Sequence, residues 1–221
     1  LTPEQAATRL ANPAIGWAYL DQRVFCPKLY ALARLRALIV KRPALTTLEV
    51  LAGPVRARGK THLVTGYVHK AYPRVYALLA RASGFDSALL VRGIEGGVIP
   101  SLRQEGRYFF YKDMSDEVAM NITATEFGLE ATLRPPPIPQ ALLSANDEAK
   151  PLDAGAIAQA AAAAGQRALA GEPGPARDNL IAAAALCLYH LGRHASPLAA
   201  AQAVRGVLTD GSAARRFQQF E

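Results

Sequence analysis

An α/β fold is what this sequence predicts: an open, mostly parallel sheet with flanking helices, followed by an Ala-rich helical C-terminal part. Three observations point there. Residues 62–92 read strand, helix, strand, the pattern of a βαβ unit with its right-handed crossover. The second of those strands, Ser87-Ala-Leu-Leu-Val-Arg92, is almost wholly apolar, as a parallel strand covered on both faces must be. From Asp153 onward alanine dominates, and breaks at Gly171-Glu-Pro-Gly-Pro175, Gly192 and Asp210-Gly211 divide the chain into helices over 153–170, 176–191 and 197–209 and a short tail.

The other elements follow in order. Thr2-Pro3-Glu4-Gln5 is an N-cap, a proline at the first helical position and an acidic first turn, so a helix runs to Leu10 before Asn12-Pro13 ends it. After Pro27, the residues Leu29, Leu32, Ala33, Leu35 and Leu38 recur at helical spacing, which predicts a helix up to Pro43. Thr46 or Thr47 caps a short helix through Leu51, closed by Gly53-Pro54. Arg56-Ala-Arg-Gly-Lys60 is a basic loop leading into a strand over His62–Tyr67, and a helix spans Ala71–Ala82. Arg107–Lys112 and Glu117–Ile122 form two short strands joined through Asp113-Met-Ser-Asp116. The run Arg134-Pro-Pro-Pro-Ile-Pro139 belongs inside neither helix nor central strand, so 134–151 is expected to be a connector.

The chain has 221 residues, 51% of them hydrophobic and 19% charged, which suits one domain over 1–221 with a sizeable core and excludes a disordered polyelectrolyte. The longest apolar run, Leu180–Tyr189, is too short to cross a bilayer, and no signal segment opens the chain. Cys26 and Cys187 lack any ligand-like spacing and are expected as buried thiols of a cytoplasmic protein. The first residue is Leu1 rather than Met, so the start is expected to be a processed, cloned or partial end.

Charge is unevenly placed. Residues 1–81 hold thirteen basic residues against three acidic ones, whereas residues 113–221 hold eight against twelve. Concentrated like charge costs self-repulsion and suits a polyanionic partner. His190-Leu-Gly-Arg-His194 has i, i+4 spacing, but Gly192 between them marks a helix end, where two histidines serve as C-terminal cations. No serine sits in a G-x-S-x-G elbow, so no catalytic nucleophile is assigned. The turn Gly93-Ile-Glu95-Gly96-Gly97 closes the second strand of the βαβ unit at its carboxyl end, where open α/β sheets place ligands.

Phe25-Cys-Pro, Leu35-Arg36 and Arg42-Pro-Ala-Leu-Thr-Thr-Leu-Glu-Val-Leu51 resemble the anthranilate phosphoribosyltransferase family, as do Gly66-Tyr-Val-His69, Ala88–Gly96, Arg177-Asp178 and Leu208-Thr-Asp-Gly211, in the family's order. The resemblance implies the large α/β domain of the phosphoribosyltransferase/nucleoside phosphorylase fold. The family's N-terminal helical domain and glycine-rich phosphate loop have no counterpart in these residues, so the resemblance implies the C-terminal portion of a longer protein, and a homodimer is expected only where that helical domain is present. The resemblance also implies phosphoribosyl pyrophosphate and Mg²⁺ as cofactors, with Arg36 contacting the carboxylate of the acceptor. The family's magnesium-holding Asp-Glu pair is replaced here by Val98-Ile99, which supply no oxygen donor.

A paralogous branch of the family shares that replacement and is regarded as nucleic-acid-binding; Arg92-Gly-Ile-Glu-Gly96 is similar to its turn. The leading expectation is therefore a sequence-nonspecific nucleic-acid binder without a cofactor. It would contact phosphates through Lys28, Arg34, Lys41, Arg56, Arg58, Lys60, Lys70 and Arg74 and stack bases on Tyr67 or Tyr72. The alternative is a phosphoribosyltransferase acting on anthranilate or another aromatic amine, as in tryptophan biosynthesis.

Overall fold

The computed structural model describes residues 1–39, 44–93, 97–130 and 154–219. Helix α1 (Pro3–Ala11) opens with the expected cap: the Gln5 N–H donates to Thr2 Oγ1 at 3.3 Å, and the Thr2 N–H donates to Gln5 Oε1 at 2.9 Å. A four-residue helix, α2 (Gln22–Phe25), precedes Pro27, and the single helix expected after it is instead two short ones, α3 (Pro27–Tyr30) and α4 (Ala33–Leu38). Its apolar face has little to pack on, for Leu35 is 50% and Leu38 73% exposed. A helix gains most of its stability from burying such a face, and here periodicity alone does not extend it. Helix α5 (Leu45–Leu51) starts before both threonines proposed as its cap, and Thr47 is buried instead.

The βαβ unit forms as predicted. Strand β1 (His62–Gly66) pairs in parallel with β2 (Ser87–Val91), connected by helix α6 (Tyr72–Ala82). Strands β3 (Gly106–Tyr111) and β4 (Val118–Ile122) extend the sheet as an antiparallel hairpin, giving the order β1-β2-β3-β4. The expected mostly parallel sheet is thus one parallel pair continued by two antiparallel pairs. A short 113–116 link can close only a hairpin, since a parallel return needs a crossover of a dozen or more residues.

All five residues of β2 are buried. Ala88 and Leu90 face Tyr76, Ala77 and Ala80 of α6 together with Leu51, Leu63, Phe85 and Tyr111. A 3₁₀ turn at Ala124–Phe127 and helix α7 (Ala154–Leu169) follow the hairpin. Leu89 and Val91 face the opposite layer, built from α8 (Pro175–His190) and α9 (Pro197–Thr209). Between those helices Ala182, Ala185, Ala200 and Ala201 are fully buried, so small side chains set a close helix–helix approach. The tail helix α10 (Ser212–Gln218) completes the described chain. Trp17 stacks on Phe217 at 5.1 Å and donates its indole N–H to the Arg216 carbonyl, tying the first segment to the last. Among the described residues no helix is long and apolar enough to cross a membrane. The 134–151 connector lies outside the described residues. Cys26 and Cys187 are both free but half-buried rather than buried, and burial pushes the Cys187 thiol up.

His190 ends α8, and His194 lies beyond that end, so the two do not share a helix face. The His190 imidazole is buried, with Nε2 at 2.9 Å from Ser87 Oγ, which in turn is 2.7 Å from Nδ1 of the exposed His62. Of the two one-way arrangements of this chain, the one that leaves no buried N–H without a partner has His190 Nε2–H donating to Ser87 and the Ser87 hydroxyl donating to His62. Protonating His190 would then place an N–H on Nδ1, which is buried without a partner. Burial first, then Lys112 and His62, holds its pKa down at about 4. Because the unfolded group titrates near pH 6.5, the unfolded chain binds the extra proton first as pH falls. Stability should be independent of this group above about pH 6.5, decline by up to about 1.4 kcal/mol per pH unit below it, and level off below about pH 4. Urea midpoints at about pH 5 and pH 7.5 should show that slope, and His190→Gln should flatten it.

Candidate functional site: the carboxyl rim of the sheet

The carboxyl ends of β1 and β2 open onto the turn that begins at Gly93. Its first residue bonds back to Val91 and forms an antiparallel bridge with Pro100, which pins both ends of the turn beside the sheet. A Cβ on Gly93 would stand 1.6 Å from the Gly97 carbonyl oxygen, so glycine is required for the turn to close on itself. Glu95 and Gly96 lie outside the described residues; Gly97 is exposed. Val98 is 40% exposed and Ile99 half-buried.

A row of side chains crosses the sheet at this rim. The Tyr67 N–H donates to the Val91 carbonyl and the Arg92 N–H donates to the Arg107 carbonyl at 3.0 Å, continuing both strand registers, and Arg107 stands opposite Asn121. Alternation along the strands puts Tyr67, Arg92, Arg107 and Asn121 on the α6 face. Tyr67 is buried, its ring edge-on to Phe109 at 5.9 Å. The Arg107 guanidinium lies over that same Phe109 ring, 5.4 Å from its centroid. Burial pushes the Tyr67 phenol up, opposed first by Arg92 and then by Arg107, so both guanidiniums act on one hydroxyl.

The described members of the expected phosphate contacts stand at both ends of β1. Arg56, Arg58 and Lys60 precede β1, while Lys70 and Arg74 follow it, and a five-residue strand separates the groups by about 16 Å. Two of these cations have structural work: Arg56 lies over the Phe85 ring at 3.9 Å and donates to the Ser83 carbonyl, and Lys60 pairs with Asp113. Lys28, Arg34, Arg58, Lys70 and Arg74 are exposed, and Arg74 is within electrostatic reach of Glu117. Lys41 lies outside the described residues. Arg36 forms an ion pair with Glu49, so its guanidinium is occupied. Tyr67, proposed to stack on bases, is covered and offers no free ring face; Tyr72 is half-buried against His69 and Tyr76. Arg92 and Arg107 escape a reading of the sequence because their adjacency exists only in the register between strands.

Mg²⁺ takes oxygen ligands in octahedral geometry. Val98 and Ile99 have none to give. Among the described residues no group of three or more His, Cys, Asp or Glu side chains could hold a metal ion. The described part of the turn does not fit the ion that the resemblance implies.

No protein-family model matches the chain. An uncharacterized protein of Aquifex aeolicus (strain VF5) is 29% identical over 83 residues, 38% of this chain and 26% of its own length. Among solved structures, the chain superposes on anthranilate phosphoribosyltransferase from Thermus thermophilus with a TM-score of 0.65 and 24% identity, over 93% of this chain and 55% of that one. It superposes on the Saccharomyces cerevisiae enzyme in complex with 4-fluoroanthranilate at TM-score 0.70 and 18% identity, and on the same enzyme in complex with PRPP and Mg at 0.69 and 16%. Each covers 94% of this chain, which spans 55% and 54% of theirs, so the chain matches only about half the length of these neighbours. The class is a mixed α/β protein with a glycine turn at the carboxyl rim of its sheet. Its fold is that of the anthranilate phosphoribosyltransferases.

Gly93→Ala should cost about 1–3 kcal/mol, because the new methyl displaces the backbone of Gly97. Comparing urea midpoints with those of Gly59→Ala, where nothing lies within 4 Å, checks this; equal losses would contradict it.

Proposed function

We propose that this chain is the α/β part of a phosphoribosyltransferase-type enzyme that joins a phosphoribosyl group to anthranilate or another aromatic amine. The observation carrying this reading is the superposition over 93% or more of the chain. The yeast neighbour's complexes with PRPP and Mg and with 4-fluoroanthranilate support the two ligand classes. In such a transfer the amine nitrogen bonds to the anomeric carbon, the carbon–oxygen bond to pyrophosphate breaks, and the amine loses a proton. Arg36 would receive the acceptor carboxylate in exchange for Glu49, a planar fork changing one carboxylate for another.

The intact protein given phosphoribosyl pyrophosphate and anthranilate, or an aromatic amine panel, should release pyrophosphate only when the acceptor is present. Absence of release with every acceptor contradicts the reading. Arg36→Gln should raise the acceptor KM about tenfold or more while leaving that of the phosphoribosyl donor unchanged.

The exposed Lys28, Arg34, Arg58 and Lys70, in a chain of net charge +7, favour a second reading as a sequence-nonspecific nucleic-acid binder. Contacts of that kind release counterions, so affinity for a single-stranded oligonucleotide should fall steeply and linearly on a log–log plot against salt. A flat salt response, or no binding at low salt, removes this reading.

A further inference from the structure

Arg92 and Arg107 are directly opposed on neighbouring strands, joined by a backbone hydrogen bond. Such a pair places the two Cα atoms about 5.5 Å apart, with both side chains on one face. Like charges in that position destabilise a sheet unless an anion lies between them. Both residues are exposed, and neither forms an ion pair among the described residues. Of the other cations around the sheet, Arg81 pairs with Glu117 and Lys60 with Asp113, and Lys112 lies 5.8 Å from the centroid of the Phe110 ring. The Arg107 guanidinium is held over Phe109, so part of its orientation is fixed without a ligand. The pair also borders Gly93, the first residue of the turn in which Val98 and Ile99 stand where oxygen donors would be needed for a cation.

We propose that Arg92 and Arg107 form a metal-independent binding site for a diphosphate group, two guanidinium forks supplying the positive charge that a divalent cation would otherwise bring. Each fork presents parallel N–H donors that match phosphoryl oxygens, and two forks side by side match two linked phosphoryl groups. Tyr67 and Phe109 form the apolar floor beneath them. This deepens the transferase reading, on which it rests only for the identity of the molecule carrying the diphosphate.

The test is calorimetric titration of the intact protein with inorganic pyrophosphate in EDTA, repeated with excess Mg²⁺. Binding is expected in EDTA and should not strengthen with Mg²⁺. Arg92→Gln and Arg107→Gln should each weaken it about tenfold or more, the doubly substituted protein should show none, and the lysine variants should fall between. Relief of like-charge repulsion should leave the melting midpoint of Arg107→Gln unchanged or raised, which a merely structural arginine would not do. If a glutamine variant fails to fold, the lysine variants carry the comparison. Binding that requires Mg²⁺, binding unaffected by the substitutions, or substitutions that weaken only a single-stranded oligonucleotide and not pyrophosphate would each overturn the proposal. Pyrophosphate binding as described, in a protein that releases no pyrophosphate from phosphoribosyl pyrophosphate, would defeat the transferase reading and leave the diphosphate site standing.

Discussion

Burial of β2 on both faces is the constraint from which the rest of this molecule follows. Five consecutive residues, Ser87–Val91, have no solvent side, so one layer of helices must cover Ala88 and Leu90 and another Leu89 and Val91. A strand so enclosed can carry charge or backbone turns only where it leaves the sheet. At one end stands the strand's polar side chain, Ser87, matched to His62 and His190. At the other, the chain meets solvent abruptly, and Arg92 and the glycine turn follow within two residues.

That asymmetry divides the polar chemistry of the protein. The Ser87 end is a hydrogen-bond chain whose buried histidine is held neutral, and it fastens α8 to the sheet. The Arg92 end holds a guanidinium pair with no ion-pair partner among the described residues, beside a turn lacking room for any side chain at Gly93. A pair of that kind, with no counter-charge among the described residues, sacrifices stability unless an anion joins it, which is the signature expected where binding rather than folding selects the residue.

The βαβ unit, the hairpin and the Ala-rich helices are legible because each rests on local signals: an apolar run in Ser87–Arg92, a short polar link at 113–116, and breakers at Gly171 and Gly211. The segment 27–39 misleads because its helical periodicity, Leu29 to Leu38, speaks of a face to be buried without naming what buries it. Basic residues that stand close together along residues 1–81 do not all stay together among the described residues. Folding sends Arg56 to Phe85, Lys60 to Asp113 and Lys70 to the opposite end of β1. Conversely, Arg92 and Arg107 are well separated in sequence and meet through strand register, which no spacing rule reads.

Aliphatic side chains at Val98-Ile99, which offer a cation no oxygen donor, and a guanidinium pair beside the same turn are physically complementary features of a single rim. A crystal structure of the intact protein grown with pyrophosphate in the presence of EDTA tests that complementarity most directly. Diphosphate density within hydrogen-bonding distance of both guanidiniums, with no metal peak beside it, is the expected result. Diphosphate seated elsewhere, or held at the rim only through a divalent cation, would contradict it.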